Sequence, residues 1–310
     1  MSPRKSLIRI IVAGSIAAIV LSACSSGGSS SVKPSTAASA AASTGTAASA
    51  PAGDPNDMLA KIKAAGVIRV GTDPAYPPQS KLKADGTFEG FDIDTANEIG
   101  KRLGVTVKFE TPDFSVVEAG KWAGRFDISV GSVTVTKVRL ANLDFTAPYY
   151  FTPAQMAATK DSGITTLEGL AGKTVCVGDA TTYYQWITGT LALGDGSPLA
   201  PVPAGMKATT QKTDQECALS ASSGRHDFEG WLSSSTTVAA GIAGPKGAPM
   251  IVVGSPVFYE PLAVATDKSG PPHAELQAAL DKIIQDMHAD GTLAASSKKW
   301  FDGQDLTVKK

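Results

Sequence analysis

From about residue 67 onward, apolar and polar positions alternate in blocks of two kinds. The β-branched run Val67-Ile68-Arg69-Val70 predicts a strand, and residues 105–109 and 126–130 predict two more. Between them, Ala96, Ile99 and Leu103 recur at three and four residues, which predicts a helix over 94–103 with one buried face. A short helical stretch is expected near Trp122. Strands separated by helices build a βαβ sheet. A second set follows, with a strand at 174–177, a helix near 215–220 and an apolar strand at 250–253. The strongest helical period lies near the end, where Leu276, Ala279, Leu280, Ile283, Ile284 and Met287 share a face and Asp290-Gly291 closes the run. Two α/β lobes are predicted, with no repeat at solenoid spacing.

The pattern before residue 54 is different. Arg4, Lys5 and Arg9 precede a 12-residue apolar run, Ile10 to Leu21, and small residues follow. That is the build of a secretory signal peptide, too short to cross ~30 Å of hydrocarbon as a helix. Leu21-Ser22-Ala23-Cys24 resembles the lipobox of bacterial lipoproteins, which implies cleavage after residue 23 and a lipid on Cys24. From Ser25 to Gly53, 27 of 29 residues are Ser, Thr, Ala, Gly or Pro. Such a segment buries too little apolar surface to offset its ordering entropy, so it reads as a tether with a reach of roughly 30 Å. The expected location is the outer face of the cell membrane.

Composition then removes whole classes of function. Lys plus Arg total 28 against 29 Asp plus Glu, and loss of residues 1–23 leaves 25 against 29. A mildly acidic body argues against nucleic acid or an anionic membrane surface as partner. With three Cys and three His (His226, His273, His288) far apart, neither a Cys-rich zinc scaffold nor a His-based metal site is expected, and no cofactor. Residues 167–174 end in Gly-Lys-Thr, but Leu167 stands where a phosphate loop needs glycine. G-x-S-x-G, H-E-x-x-H and G-x-G-x-x-G are all absent from the sequence.

Open α/β sheets bind ligands beyond the carboxyl ends of their strands. After the first predicted strand come Asp73 and Tyr76, after the second Asp113 and Phe114, after the third Ser132, Thr134 and Arg139. An acid, two rings, two hydroxyls and a guanidinium on one sheet edge suit a small zwitterion or carboxylate. Each has a plainer reading. Tyr76 and Phe114 also suit a core, Asp73 an Asp-Pro turn, and Arg139 the surface of a helix start.

These segments carry a resemblance. Residues 68–78 (IRVGTDPAYPP), 90–94 (GFDID), 134–139 (TVTKVR), 144–149 (DFTAPY), 170–175 (LAGKTV), 180–182 (ATT), 223–227 (SGRHD) and the tail from Asp290-Gly291-Thr292 to Lys299-Trp300-Phe301 are similar to the family 3 extracellular solute-binding proteins. The resemblance implies a two-lobed periplasmic-binding-protein-like fold, each lobe a mixed β-sheet flanked by helices, joined by two hinge strands. Lobe one would comprise 54–151 and 257–310, and lobe two 152–256. It further implies a monomeric binding protein without enzymatic activity. This would capture a small polar ligand, an amino acid or organic acid, and deliver it to an ABC permease. Tyr76 and Phe114 would flank the ligand, Arg139 would pair with its carboxylate beside Ser132 and Thr134, Thr182 would close over it, and Asp73 would sit near its amine. Asp92 and Asp94 are signature residues whose expected role is to favour a helix N-terminus.

Two departures bear on the ligand. Gln79-Ser80 replaces the usual aromatic and acid after Pro77-Pro78, and Leu232 stands where counting from Asp227 places the family's ammonium-binding Asp. Asp73, Glu229 or Trp231 is expected to substitute, the acids by charge or Trp231 by a cation–π contact; if none does, the expected ligand lacks a free α-ammonium, as an organic acid or acylated amino acid does. Cys176 and Cys217, both in lobe two, are expected to form a disulfide in oxidising surroundings. Two alternative functions stay open: an exported lyase like the cyclohexadienyl dehydratases related to this family, and a surface ligand sensor with no transport role.

Overall fold

The computed structural model describes residues 53–224 and 227–309. The signal peptide, Cys24 and the tether up to residue 52 lie outside the described residues, as does His226. Among the described residues thirteen strands and eight α-helices follow in chain order. Helix α1 is Met58–Ala65, then come β1 (Val67–Gly71), β2 (Ala75–Tyr76), β3 (Ser80–Leu82), β4 (Phe88–Glu89), α2 (Phe91–Leu103), β5 (Thr106–Glu110), α3 (Phe114–Ala119), β6 (Ile128–Thr134), β7 (Leu143–Phe145) and β8 (Tyr150–Thr159). The second half carries β9 (Thr174–Gly178), α4 (Thr182–Ile187), β10 (Lys207–Gln211), α5 (Asp214–Ser222), β11 (Gly230–Ser234), α6 (Ser235–Ile242), β12 (Met250–Val252), β13 (Phe258–Asp267), α7 (Ala274–Ala289) and α8 (Thr292–Trp300).

One path of strands runs β10-β9-β11-β8-β13-β6-β1-β5, with β12 on β8 and β7 on β13. The outer pairs β1/β5, β1/β6, β9/β10 and β9/β11 are parallel, as strands linked through helices must be. The two ten-residue strands β8 and β13 pair antiparallel in the middle, from Tyr150 opposite Leu262 to Ala154 opposite Phe258. Through them the chain enters one half of the molecule and returns to the other. Each half has its own apolar core. The first is filled by Ile68, Val70, Ile99, Ile128, Leu280 and Ile284, the second by Met156, Val175, Val177, Tyr183, Trp186 and Phe258. Among the described residues no helix is long and apolar enough to cross a membrane.

The expected elements recur with shifted ends. The predicted third strand is displaced, since β6 starts at Ile128 and runs on to Thr134. Trp122 is not helical: the helix before it, α3, stops at Ala119, and Lys121 and Ala123 have φ of 59° and 53°. α2 begins three residues before the expected position, because Pro78 and Gln79 carbonyls accept from the Phe91 and Asp92 N–H groups. Gly90 permits this approach. It has φ +134°, and a Cβ there would lie 2.2 Å from the Gln79 carbonyl oxygen.

Asp92 does more than favour a helix start. Its buried carboxyl accepts from the Ser132 hydroxyl at 2.7 Å and the Tyr149 hydroxyl at 2.7 Å, which holds Ser132 at φ +54°. Burial pushes this carboxyl up to about 7. Asp94 ties α2 to α8 by accepting from Lys299 and from the Trp300 indole, both at 2.7 Å. Cys176 and Cys217 form the expected disulfide, joining β9 to α5 with Cα atoms 5.8 Å apart.

Candidate functional site

The carboxyl ends of β1, β6, β9 and β10 and the loop after β5 converge on one cavity between the two halves. Strand ends present unpaired backbone and short loops, so side chains placed there face the crevice rather than a core. From the first half come Asp73, Tyr76, Phe114, Ser132, Thr134 and Arg139. From the second come Asp179, Thr182, Tyr183, Lys212, Thr213 and Asp214, and Glu260 rises from β13. Seven residues singled out in the sequence are thus brought together: Asp73, Tyr76, Phe114, Ser132, Thr134, Arg139 and Thr182.

Arg139 opens a short 3-10 turn after β6 and is 1% exposed. Its Nη1 donates to the Thr134 carbonyl at 3.1 Å and its Nη2 to the Ala180 carbonyl of the opposite half at 3.0 Å. Nε and Nη2 also donate to Glu118 Oε2, at 3.3 and 3.2 Å. The Phe114 ring lies beneath the guanidinium, 4.9 Å from its carbon. Burial lowers the Arg139 pKa and raises that of Glu118.

The other end of the cavity is acidic. Asp73 shapes its turn by accepting from the Ala75 N–H at 2.7 Å, and it also lines the cavity, with its pKa raised chiefly by burial. Asp214, the first residue of α5, is 6% exposed and accepts from the Gly178 N–H at 2.9 Å. Burial, and then the nearby charge of Asp73, push its carboxyl up to about 8. Beside it the Thr213 hydroxyl is buried and has no hydrogen-bond partner among the described residues. At the rim Lys212 pairs with Asp113 of the opposite half at 2.7 Å.

Glu260 sits between these ends, 2% exposed. Its Oε1 accepts from the Thr134 and Thr182 hydroxyls and its Oε2 from the Tyr183 hydroxyl at 2.7 Å. The Tyr183 hydroxyl in turn meets that of Tyr76 at 3.1 Å, across the cleft. Outside the cavity a second contact joins the halves. Gln79 is fully buried, donates to the Ser234 and Thr236 hydroxyls at 2.9 and 2.7 Å, and accepts from Thr237 at 3.2 Å.

Glu229 and Trp231 lie elsewhere, which departs from the expectation that one of them receives an ammonium. Glu229 pairs with Lys173 at 3.5 Å and accepts from the Thr174 N–H, at the amino end of β9, opposite the end that meets the cavity. Trp231 is wholly buried with Cys176, Cys217 and Val238, and Leu232 points into the second core. Asp179, Tyr183, Lys212, Thr213, Asp214 and Glu260 line the cavity without having been expected there, and Asp214 and Glu260 matter most. Thr213-Asp214-Gln215-Glu216 reads as a capping box, which hides the acid. Glu260 had a visible signal, being the single charged residue in the apolar run 256–265. Among the described residues no group of three or more His, Cys, Asp or Glu is arranged to hold a metal ion.

Two apolar cores, a crossing pair of long strands and a polar cavity between them are the build of a binding protein. Residues 68–303 match the bacterial extracellular solute-binding proteins, family 3, and the chain belongs to that family. It is 30% identical over 246 residues to the histidine-binding periplasmic protein of Escherichia coli K12, covering 76% of this chain and 87% of that protein. It is 28% identical over 252 residues to the L-cystine-binding protein TcyJ of the same organism, covering 81% and 88%. An ancestral arginine-binding protein solved with arginine has a TM-score of 0.65 and 29% identity, covering 76% of this chain and 98% of that one.

Proposed function

We propose that the cleft captures an α-amino acid, with its carboxylate directed to Arg139 and its ammonium to Asp214 and Asp73. The observation that carries this reading is the division of charge in one cavity, a buried guanidinium at one end and the buried Asp214 with the half-buried Asp73 at the other. A carboxylate entering beside Arg139 gains charge-assisted hydrogen bonds in a dry site, in competition with Glu118. An ammonium entering beside Asp214 supplies the countercharge that burial has withheld. Tyr76 and Phe114 flank the ligand, Ser132 and Thr134 hold its place in the first half, and Thr182 with Thr213 closes over it.

The lobes of this reading are 54–151 with 257–310, and 152–256. Arg139 to Ala180, Tyr76 to Tyr183 and Gln79 to Ser234 are contacts that closure makes, so ligand binding draws an open population into the closed form. Relatives named as binding proteins for histidine and cystine support an amino-acid ligand released unchanged rather than a substrate turned over. The protein is then a monomer tethered outside the cell through lipidated Cys24, passing its ligand to an ABC permease.

A thermal-shift screen of amino acids, amines and organic acids tests this, since a ligand that binds only the folded state raises its melting temperature by mass action. Amino acids should give the largest shifts, and mass spectrometry should recover them intact. Stabilisation by organic acids alone, or conversion of prephenate or arogenate, would overturn it.

A further inference from the structure

The charges that line the cavity do not balance for a neutral zwitterion. Four acids line it, Asp73, Asp179, Asp214 and Glu260, of which Asp179 is exposed, against two cations, Arg139 and Lys212. Both cations already have an anionic partner outside the lining, Glu118 for Arg139 at 3.2 Å and Asp113 for Lys212 at 2.7 Å. Among the described residues no ion pair involves Asp73, Asp214 or Glu260. A zwitterion brings one carboxylate and one ammonium. Its carboxylate uses Arg139 and its ammonium satisfies one acidic locus, which leaves Glu260 buried with neutral hydrogen-bond partners and Arg139 only at longer range.

Glu260 is the acid that the amino-acid grip itself does not use. It stands on the strand that crosses between the halves, and its partners are the hydroxyls of Thr134, Thr152, Thr182 and Tyr183. These four donors solvate the carboxyl and fix its position, but none carries charge. A buried carboxylate held only by neutral donors gains most from a cation brought by the ligand. Its neighbours in the lining, Tyr76 and Tyr183, add hydroxyls that can accept from an alkyl ammonium or guanidinium. We infer that Glu260 is a specificity-determining residue that selects amino acids with a cationic side chain over neutral ones. This rests on the amino-acid reading of the same cleft and names the subclass it takes.

The test is titration calorimetry on the full folded chain, stripped of co-purified ligand, with matched pairs: lysine against norleucine, and arginine against citrulline. At least one basic amino acid should bind about tenfold or more tightly than its neutral partner, the scale of one hydrogen bond to a charged group. In Glu260→Gln, which keeps the side-chain size and an acceptor oxygen, that ratio should fall toward one, while Glu260→Asp should keep part of it. Neutral partners that bind as tightly as the basic ones to the unaltered protein would overturn the inference while leaving the amino-acid reading intact. So would a ratio that persists in folded Glu260→Gln, since selection would then belong to another acid. Failure of all four compounds and of the wider amino-acid set would instead sink the amino-acid reading. The wild-type ratio decides the charge preference even where Glu260→Gln does not fold.

Discussion

At the Arg139 end of the cleft, one buried cation is surrounded by Glu118, two backbone carbonyls and the Phe114 ring. At the opposite end, Asp214 is buried and Asp73 half-buried; both accept from backbone N–H groups and neither forms an ion pair among the described residues, Lys212 acting on Asp73 only at longer range. The first end is electrically complete without ligand and the second is not. A paired charge is held ready at a desolvation cost that its partner offsets in part, whereas an unpaired one destabilises the empty protein and makes the ligand part of the fold. Burial opposes charge at both ends, lowering the Arg139 pKa and raising those of Glu118, Asp73 and Asp214, but only at the first end does an ion pair offset it.

The largest effect is expected where the complete end is broken. Arg139→Ala removes the carboxylate's partner and leaves Glu118 half-buried without its cation, so affinity should fall at least about 30-fold, or roughly 2–5 kcal/mol, in titration calorimetry. Affinity unchanged in the folded variant would remove Arg139 from the site.

The incomplete end should respond in two opposite ways. Asp214→Asn should weaken binding of an amino acid while making the unliganded protein more stable to heat at neutral pH. The sign follows from linkage. An acid raised from 3.8 to about 8 stabilises the empty fold fully below pH 4 and loses that contribution as pH climbs through 8. Asp92, raised to about 7, acts with the same sign, so the variant isolates the Asp214 share. A ligand ammonium prefers ionised Asp214, so affinity should rise up to about tenfold per pH unit between pH 6 and 8, and the variant should flatten this slope. A wild-type affinity that falls over that interval would contradict the assignment.

Smaller effects sharpen the role of closure. Gln79→Ala should weaken binding about three- to tenfold, because each lost hydrogen bond is worth ~0.5–1.5 kcal/mol and the freed Ser234 and Thr237 hydroxyls remain bonded to one another at 2.9 Å. Small-angle scattering should show a larger open fraction for this variant. Glu229→Gln should change affinity less than about twofold, since the Lys173 pair lies on the surface away from the cleft. A large loss there would restore Glu229 to the ammonium site.

What the sequence revealed, and what it hid, divides along the same line as the cleft. β1 and α2 were readable because one face of each is apolar, and Asp73, Tyr76, Phe114, Ser132, Thr134 and Arg139 follow from reading past the strand ends. The second half supplied its ligand-facing residues by the same rule, from the ends of β9 and β10. β10 escaped notice because Lys207-Ala208-Thr209-Thr210-Gln211 is a partly exposed edge strand with little apolar signal. Without it Asp214 had no strand to follow, and the search for an acid went to Leu232, which faces a core. Glu260 and Gln79 act between the halves, and a pairing 155 residues apart, such as Gln79 with Ser234, leaves no periodic trace.

The division of charge along the cleft is tested most directly by one titration series on the wild-type protein, comparing a bound amino acid with its decarboxylated amine and its deaminated acid. Both truncated compounds should bind at least about 30-fold more weakly than the parent, the amine for want of Arg139's partner and the acid for want of Asp214's. A truncated compound that binds as tightly as the parent would show that one end of the cleft does not hold the ligand.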